Sequence, residues 1–137
     1  MLAVGTTGRA ACRVESANTA QNMGSGDLAV FATPSMIALM ESAASKSVLP
    51  LLNPGETTVG THMDVTHTSA TPVGMEIRAE SRLEEIDGRR LVFSVKAYDE
   101  TGTIGEGIHE RFIVQKEKFM LKAEAKKGHA HDWISKA

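Results

Sequence analysis

The sequence contains little cysteine and few aromatic residues. Cys12 is the only cysteine among 137 residues, and phenylalanine, tyrosine and tryptophan together make up 4%. A single cysteine excludes an intrachain disulfide and any metal cluster built from several thiolates, and it is typical of a reducing compartment. We therefore expect a cytoplasmic protein that is held together by its hydrophobic core.

The sequence also lacks a marked excess of one charge and any long apolar run. Lysine and arginine number 15, aspartate and glutamate 17, and the formal net charge is −2. This balance argues against a basic surface for DNA or RNA. A membrane-spanning helix needs about eighteen apolar residues in succession, and the sequence contains no such run. Residues 1–9 do not show a basic segment followed by an apolar one, so we do not expect an exported protein. We expect no nucleic-acid partner and no membrane.

One long helix is predicted in the first half of the chain. Thr33 is a good N-cap, and Pro34 suits the first helical position because its missing N–H would have no partner there. The helix is expected to run to about Val48, since Pro50 and the Asn53-Pro54-Gly55 group end the pattern. Before it, residues 18–27 are polar and contain glycine, which predicts a flexible connection and a possible lid.

Alternating apolar and polar residues predict five strands. The first ends at about Val14, and the other four lie around residues 59–65, 77–83, 91–97 and 104–114. Asp87-Gly88 is typical of a tight hairpin turn. Successive strands are therefore expected to be neighbours in a mostly antiparallel sheet.

This order of elements predicts an α+β protein, because the apolar stripe of a long helix must be buried on one face of the sheet. A strand, a helix and then four strands match the hotdog fold, in which a curved sheet wraps around a long central helix. We expect a single domain over residues 1–137, with its core up to about residue 116. Residues 117–137 form a charged tail that begins with a short surface helix.

An acid, Glu41, lies within the part of the predicted helix that otherwise resembles a core segment. A buried carboxylate costs roughly several kcal/mol unless it is paired, hydrated or functional. The nearest candidate partner is His67, in the polar run of residues 65–72. The alternative is an acid that reaches solvent at the edge of the helix, and the local pattern leaves both interpretations open.

Thr33 and His67 are further candidates for chemistry. Thr33 lies at a helix N-terminus, where the helix dipole favours negative charge, although it could simply cap the helix. The pKa range of histidine suits proton transfer near neutral pH, although a lone histidine is more often structural. Thr33 and Glu41 are separated by about 12 Å along a helix, so joint action requires His67, an extended substrate or a second protomer between them.

Neither a metal nor a cofactor is predicted. His62 and Asp64 share one face of a strand while His67 lies on the other, which makes a three-ligand metal site improbable. The Gly105-Glu106-Gly107 segment is not followed by a helix start and therefore does not form a nucleotide-binding loop. His129 and His131, near the C-terminus, are interpreted as part of a solvated tail.

Four segments taken together resemble the fluoroacetyl-CoA thioesterase family of hotdog proteins. Each segment alone is weak, but their order and nearly constant spacing are specific, and the resemblance extends from about residue 30 to about residue 118. The segments are Phe31-Ala32-Thr33-Pro34-Ser35-Met36-Ile37-Ala38-Leu39-Met40-Glu41, Val59-Gly60-Thr61, Val65-Thr66-His67-Thr68-Ser69-Ala70-Thr71-Pro72 and Gly107-Ile108-His109-Glu110-Arg111.

The resemblance implies a homodimer, or a higher oligomer, that hydrolyses a small acyl-CoA thioester without a cofactor. It places Thr33, Glu41 and His67 at the family's catalytic positions. It places Gly60 and Arg111 at substrate-contacting or site-supporting positions. In this interpretation His67 is the general base, Glu41 is a nucleophile or aligns a water, and Thr33 polarises the carbonyl or attacks it. The sequence does not choose between a covalent nucleophile and a water.

One departure from the family concerns selectivity. The fluoroacetyl-specific enzyme carries a phenylalanine-bearing lid just before the threonine, whereas residues 24–31 here read GSGDLAVF. A glycine-rich loop excludes water and shapes a pocket less well, so a different or broader acyl group is expected. Two alternatives to an enzyme are a non-catalytic module that binds acyl-thioesters and a scaffold in which the three polar residues only satisfy one another.

Overall fold

The computed structural model describes residues 1–130 of the chain. The helices and strands are β1 (Thr7–Arg13), α1 (Ala20–Met23), α2 (Thr33–Val48), β2 (Glu56–His67), β3 (Glu76–Asp87), β4 (Arg90–Asp99), β5 (Gly102–Gln115) and α3 (Lys116–Glu124). The predicted long helix, the five strands and the short surface helix of the tail are all present. The prediction for His131 lies outside the described residues.

The five strands form one antiparallel sheet in the order β1-β3-β4-β5-β2. A two-residue loop connects β3 to β4, whose end residues Asp87 and Arg90 are paired. Its first residue, Gly88, has a φ of +61°, as expected for a tight hairpin. The expectation that successive strands are neighbours is wrong for β2, which pairs with β5 and not with β3. After β2 the chain leaves the sheet through residues 68–75, which bond to the segment before α2, and it returns beside β1.

Helix α2 buries one stripe of side chains against the sheet. The buried residues recur at helical spacing and are Met36, Met40, Ala43, Ala44 and Val48. The helix lies mainly over β1 and β3 and has less contact with β2. Close approach to β1 depends on Gly8, because a Cβ there would collide with the backbone oxygen of Ala43. The β5–β2 side of the sheet is therefore less covered by α2 than the β1–β3 side.

The start of α2 differs from the prediction. Ala32 is the N-cap and makes no side-chain capping bond, while Thr33 and Pro34 occupy the first two helical positions. Proline is tolerated there because the first N–H groups of a helix have no intrahelical acceptor. The Thr33 hydroxyl is hydrogen-bonded to His67 and is thus not used as a cap.

The segment predicted to be a flexible connection is partly helical. It contains α1, whose N-cap Thr19 accepts a hydrogen bond from the backbone N–H of Asn22 at 3.3 Å. Gly24, with φ of +76°, ends this helix in the left-handed region. The Ser35 hydroxyl lies 2.8 Å from the sulfur of Met23, so α1 is attached to the first turn of α2. Within residues 1–130, no helix is both long and apolar enough to span a membrane.

Candidate active site

The first polar cluster joins the start of α2 to the end of β2. Thr33 Oγ1 lies 2.7 Å from Nδ1 of His67. His67 faces the helix because residues on the inner side of β2 alternate with outward-facing ones, and Met63 and Val65 pack on the core from the same side. The pair borders a cleft of about 340 Å³ that is also lined by residues of the loop before α2. The cleft gives a hydroxyl and an imidazole access to the same small space.

His67 has one ring nitrogen with a partner and one without. Its Nε2 atom is buried and has no hydrogen-bond partner in the part of the chain that the structure describes. Burial lowers the pKa of His67 below its ordinary value of 6.5, an effect that the Ser69 backbone partly opposes. The ring is therefore neutral at pH 7 and can accept a proton. Its unpaired Nε2 indicates that another group belongs there.

The second polar cluster surrounds Glu41. Glu41 Oε2 lies 3.9 Å from Nη1 of Arg111, and the Glu41 side chain is 43% exposed. A Cβ added to Gly60 would lie only 2.7 Å from the same carboxylate oxygen. Of the two interpretations that the sequence left open, the structure shows the acid that reaches solvent, because α2 covers β1 and β3 and leaves its Glu41 edge open. The charged neighbour of Glu41 within one chain is Arg111 and not the candidate partner His67.

Arg111 is held firmly beneath this carboxylate. It is 7% exposed, and it donates to the Thr58 hydroxyl at 2.8 Å and to the Thr58 carbonyl at 3.0 Å. Its Nη1 lies 3.1 Å from Nε2 of His109. Burial lowers the pKa of Arg111, and the nearby charge of Glu41 opposes that shift. These contacts place a fixed positive charge next to Glu41.

Sequence reasoning assigned no role to His109 or Thr58. His109 is 1% exposed and bonds to Arg111, although it appeared in the sequence only as part of a resembling segment. The alternation of side chains along a strand could have indicated a role for His109, because residues 109 and 111 lie on the same face of β5. Thr58 gave no comparable signal, since its position opposite Ile113 depends on the pairing of β2 with β5.

The five predicted site residues therefore form two clusters in one chain. Thr33 and His67 are together, and Glu41, Gly60 and Arg111 are together. Gly60 and His67 are seven residues apart on β2, which corresponds to about 20 Å along a strand. Within residues 1–130, no three histidine, cysteine, aspartate or glutamate side chains are grouped as metal ligands.

Comparison with known proteins identifies relatives of this fold and site. A family model described as fluoroacetyl-CoA-specific thioesterase matches residues 14–117. A fluoroacetyl-CoA thioesterase from Streptantibioticus cattleyicolor is 44% identical over 97 residues, which cover 71% of this chain and 70% of that protein.

Solved structures give the same result. The fluoroacetyl-CoA thioesterase FlK superposes with a TM-score of 0.86 at 36% identity, covering 92% of this chain and 98% of that one. A mutant of FlK in complex with acetyl-CoA has a TM-score of 0.86 at 35% identity and covers 91% and 98%. A Thermus thermophilus protein described as a thioesterase superfamily member has a TM-score of 0.87 at 30% identity and covers 94% and 96%.

The fold and the relatives define the class of this protein as a hotdog protein of the thioesterase superfamily, which confirms the predicted fold. Within that class, the chain belongs to the fluoroacetyl-CoA-specific thioesterase family. The resemblance inferred from four short segments is thus confirmed.

Proposed function

We propose that this protein hydrolyses small acyl-CoA thioesters to the free acid and CoA. The observation that carries the proposal is the Thr33–His67 hydrogen bond at the edge of a cleft, in a chain of this family. A hydroxyl bonded to a neutral imidazole is the arrangement that activates an oxygen nucleophile. The N-terminus of α2 adds a positive dipole end at the same place, which favours the negative oxygen of a tetrahedral intermediate.

We further propose that the working unit is a homodimer, or an oligomer built from such dimers, in which the two clusters meet across protomers. The strand order leaves the outer edge of β2 without a neighbouring strand among the described residues. An unpaired edge of this length is a template for pairing with a second copy. Antiparallel pairing centred between Met63 and Asp64 sets Gly60 of one protomer opposite the partner's His67. Glu41 then approaches the unpaired Nε2 of that ring.

The chemistry follows from these positions. Nδ1 of His67 accepts the proton of the Thr33 hydroxyl, or of a water that this hydroxyl orients, and the oxygen attacks the thioester carbonyl. The C–S bond breaks, and the CoA sulfur takes the proton from His67. If Thr33 itself attacks, a water then cleaves the acyl-threonine by the same route. Glu41 accepts a hydrogen bond from Nε2–H and stabilises the imidazolium, as an acid does in a catalytic triad.

The cellular setting and domain organisation are proposals as well. A lone cysteine that is only partly buried, Cys12, supports a cytoplasmic location. One sheet packed on one helix with a single core cluster supports one domain, followed by the charged C-terminal tail.

Turnover of a panel of short acyl-CoA thioesters, followed by release of free thiol, tests the activity. We expect hydrolysis of several members, with kcat/KM for fluoroacetyl-CoA within about tenfold of that for acetyl-CoA. The reason is the exposed loop before α2, where the only aromatic residue of positions 24–31, Phe31, is 1% exposed and belongs to the core. No turnover on any member contradicts the proposed function, and a preference above about a hundredfold for fluoroacetyl-CoA contradicts the proposed breadth.

Mixing two impaired variants tests the shared site. His67→Ala and Glu41→Gln are coexpressed with different tags, and the doubly tagged species is purified. If each site combines residues of both protomers, one of the two sites in the mixed dimer is intact, so the purified species has about half of the wild-type activity. Each variant alone is the control and gives the low residual activity of a site that lacks one group. Absence of recovered activity, or a monomer by light scattering, contradicts the arrangement.

A further inference from the structure

His109 is a buried histidine that the proposed chemistry does not use. It lies on the inner face of β5, between Met63 of β2 and Phe93 of β4, and is 1% exposed. Its ring stacks on Phe93, with centroids 6.3 Å apart and planes at 29°. Both ring nitrogens have partners: Nδ1 lies 2.8 Å from the His62 carbonyl oxygen, and Nε2 lies 3.1 Å from Nη1 of Arg111.

These two partners allow one protonation state. A carbonyl oxygen can only accept, so Nδ1 carries the proton, and a guanidinium can only donate, so Nε2 is bare. Burial lowers the pKa of His109, the His62 carbonyl opposes this shift, and the charge of Arg111 lowers the pKa further. The ring is thus a fixed neutral acceptor rather than a proton carrier, because a proton on Nε2 would face Nη1 of Arg111.

Nε2 of His109, as a hydrogen-bond acceptor, helps to orient the guanidinium of Arg111. Thr58 binds Nε and Nη2 of the guanidinium, which leaves Nη1 as the end that faces Glu41. Within the described residues, His109 is the only hydrogen-bond partner of Nη1, because Glu41 Oε2 lies 3.9 Å away, so loss of this acceptor leaves a buried donor unpaired on the side of Glu41. Gly60 leaves the space above in which the carboxylate lies.

We infer that His109 is a positioning residue: through Arg111 it fixes the place of the Glu41 carboxylate at Gly60. This inference rests on the proposed function, in which Glu41 supports the imidazole of a partner. It assigns to His109 no contact with substrate and no proton transfer. The consequence is that Arg111 and Glu41 act correctly only when a neutral acceptor stands at position 109.

Two substitutions at His109 separate this role from simple packing. His109→Leu fills similar volume but offers no acceptor, whereas His109→Gln offers an amide oxygen to Arg111 and an amide N–H to the His62 carbonyl. We expect His109→Leu to lower kcat about tenfold or more while KM changes less than about threefold, and His109→Gln to recover most of kcat. Equal losses in both variants contradict the inference, as does a loss that appears only in KM.

A double-mutant cycle distinguishes the loss of this positioning from a general loss of stability. In the Glu41→Gln background, His109→Leu should change kcat by less than about threefold, because the carboxylate that it positions is already gone. A full additional loss in that background contradicts the inference. Melting temperatures of all variants show whether each protein is folded at the assay temperature.

Nitrogen NMR of the wild-type histidine ring provides a readout that needs no activity. We expect the signals of His109 to show a predominantly neutral ring with the proton on Nδ1 from pH 8 down to pH 6.5, the ordinary pKa of histidine, below which the pKa of His109 lies. A neutral ring with its proton on Nε2, or a ring that is half protonated or more at pH 6.5, overturns the role of His109 even if the enzyme is active. Conversely, the expected spectrum can be found for a protein that hydrolyses no acyl-CoA in the panel. That result supports the described geometry of His109 and contradicts the proposed function.

Discussion

Replacing His67 by alanine is expected to lower kcat/KM for the best acyl-CoA substrate by about two to four orders of magnitude. A positioned general base contributes a factor of this size, and His67 is the imidazole that bonds the Thr33 hydroxyl at 2.7 Å. The melting temperature should change little, because the ring is only partly buried and its Nε2 has no partner within the described chain. Initial-rate kinetics with thiol detection and thermal unfolding measure the two quantities.

The matched control is His129→Ala, since His129 is an exposed histidine after α3. Its kcat/KM should stay within about twofold of wild type. The pH dependence gives a second check. The base must be neutral, and burial lowers the pKa of His67 from 6.5, so the acid side of the wild-type kcat/KM profile should fall off below pH 6.5. A His67→Ala enzyme that keeps more than about a tenth of the activity contradicts the role of general base.

The sequence was sufficient for the long helix and the five strands because each has a strong local signal, whereas the four-residue helix α1 has none. Residues 36, 40, 43, 44 and 48 of α2 repeat with the helical period, and the strands alternate with period two. Local patterns do not specify which strands pair. The position of β2 beside β5 is determined by contacts between residues about fifty apart in sequence, such as Gly60 opposite Arg111. That is why the expected neighbours of β2 were wrong.

The sequence suggested the candidate residues but did not predict their arrangement. The hydroxyl, the acid and the imidazole were identified from their chemical types and their context, and the resemblance to a family supplied the rest. Their distances depend on where α2 crosses the sheet. Because α2 lies over β1 and β3, Glu41 stands at an open edge beside Arg111 instead of in the core. The buried hydrogen bonds of Arg111 depend on the β2–β5 register, which no local pattern carries.

Substitution of Gly60 by alanine is expected to lower kcat by about two orders of magnitude while the protein stays folded. The added Cβ would lie 2.7 Å from Glu41 Oε2, 3.2 Å from Cε1 of His109 and 3.3 Å from Nη1 of Arg111. Gly60 does not have a positive φ, so the backbone accepts an alanine without strain. The carboxylate is the group most free to move, and a displacement of about 1 Å in a catalytic group can cost a hundredfold in rate.

Gly128→Ala is the control, because no heavy atom of residues 1–130, the chain neighbours aside, lies within 4 Å of a Cβ at that position. Its activity and melting temperature should match those of wild type. The decisive comparison uses Glu41→Ala, which removes the carboxylate that the new methyl group would displace. In that background Gly60→Ala should lower kcat by less than about threefold, since the two changes act on one interaction. If Gly60→Ala instead lowers kcat by about two orders of magnitude in the Glu41→Ala background as well, Gly60 serves the substrate directly. Its lack of a side chain is then not required to make room for the Glu41 carboxylate.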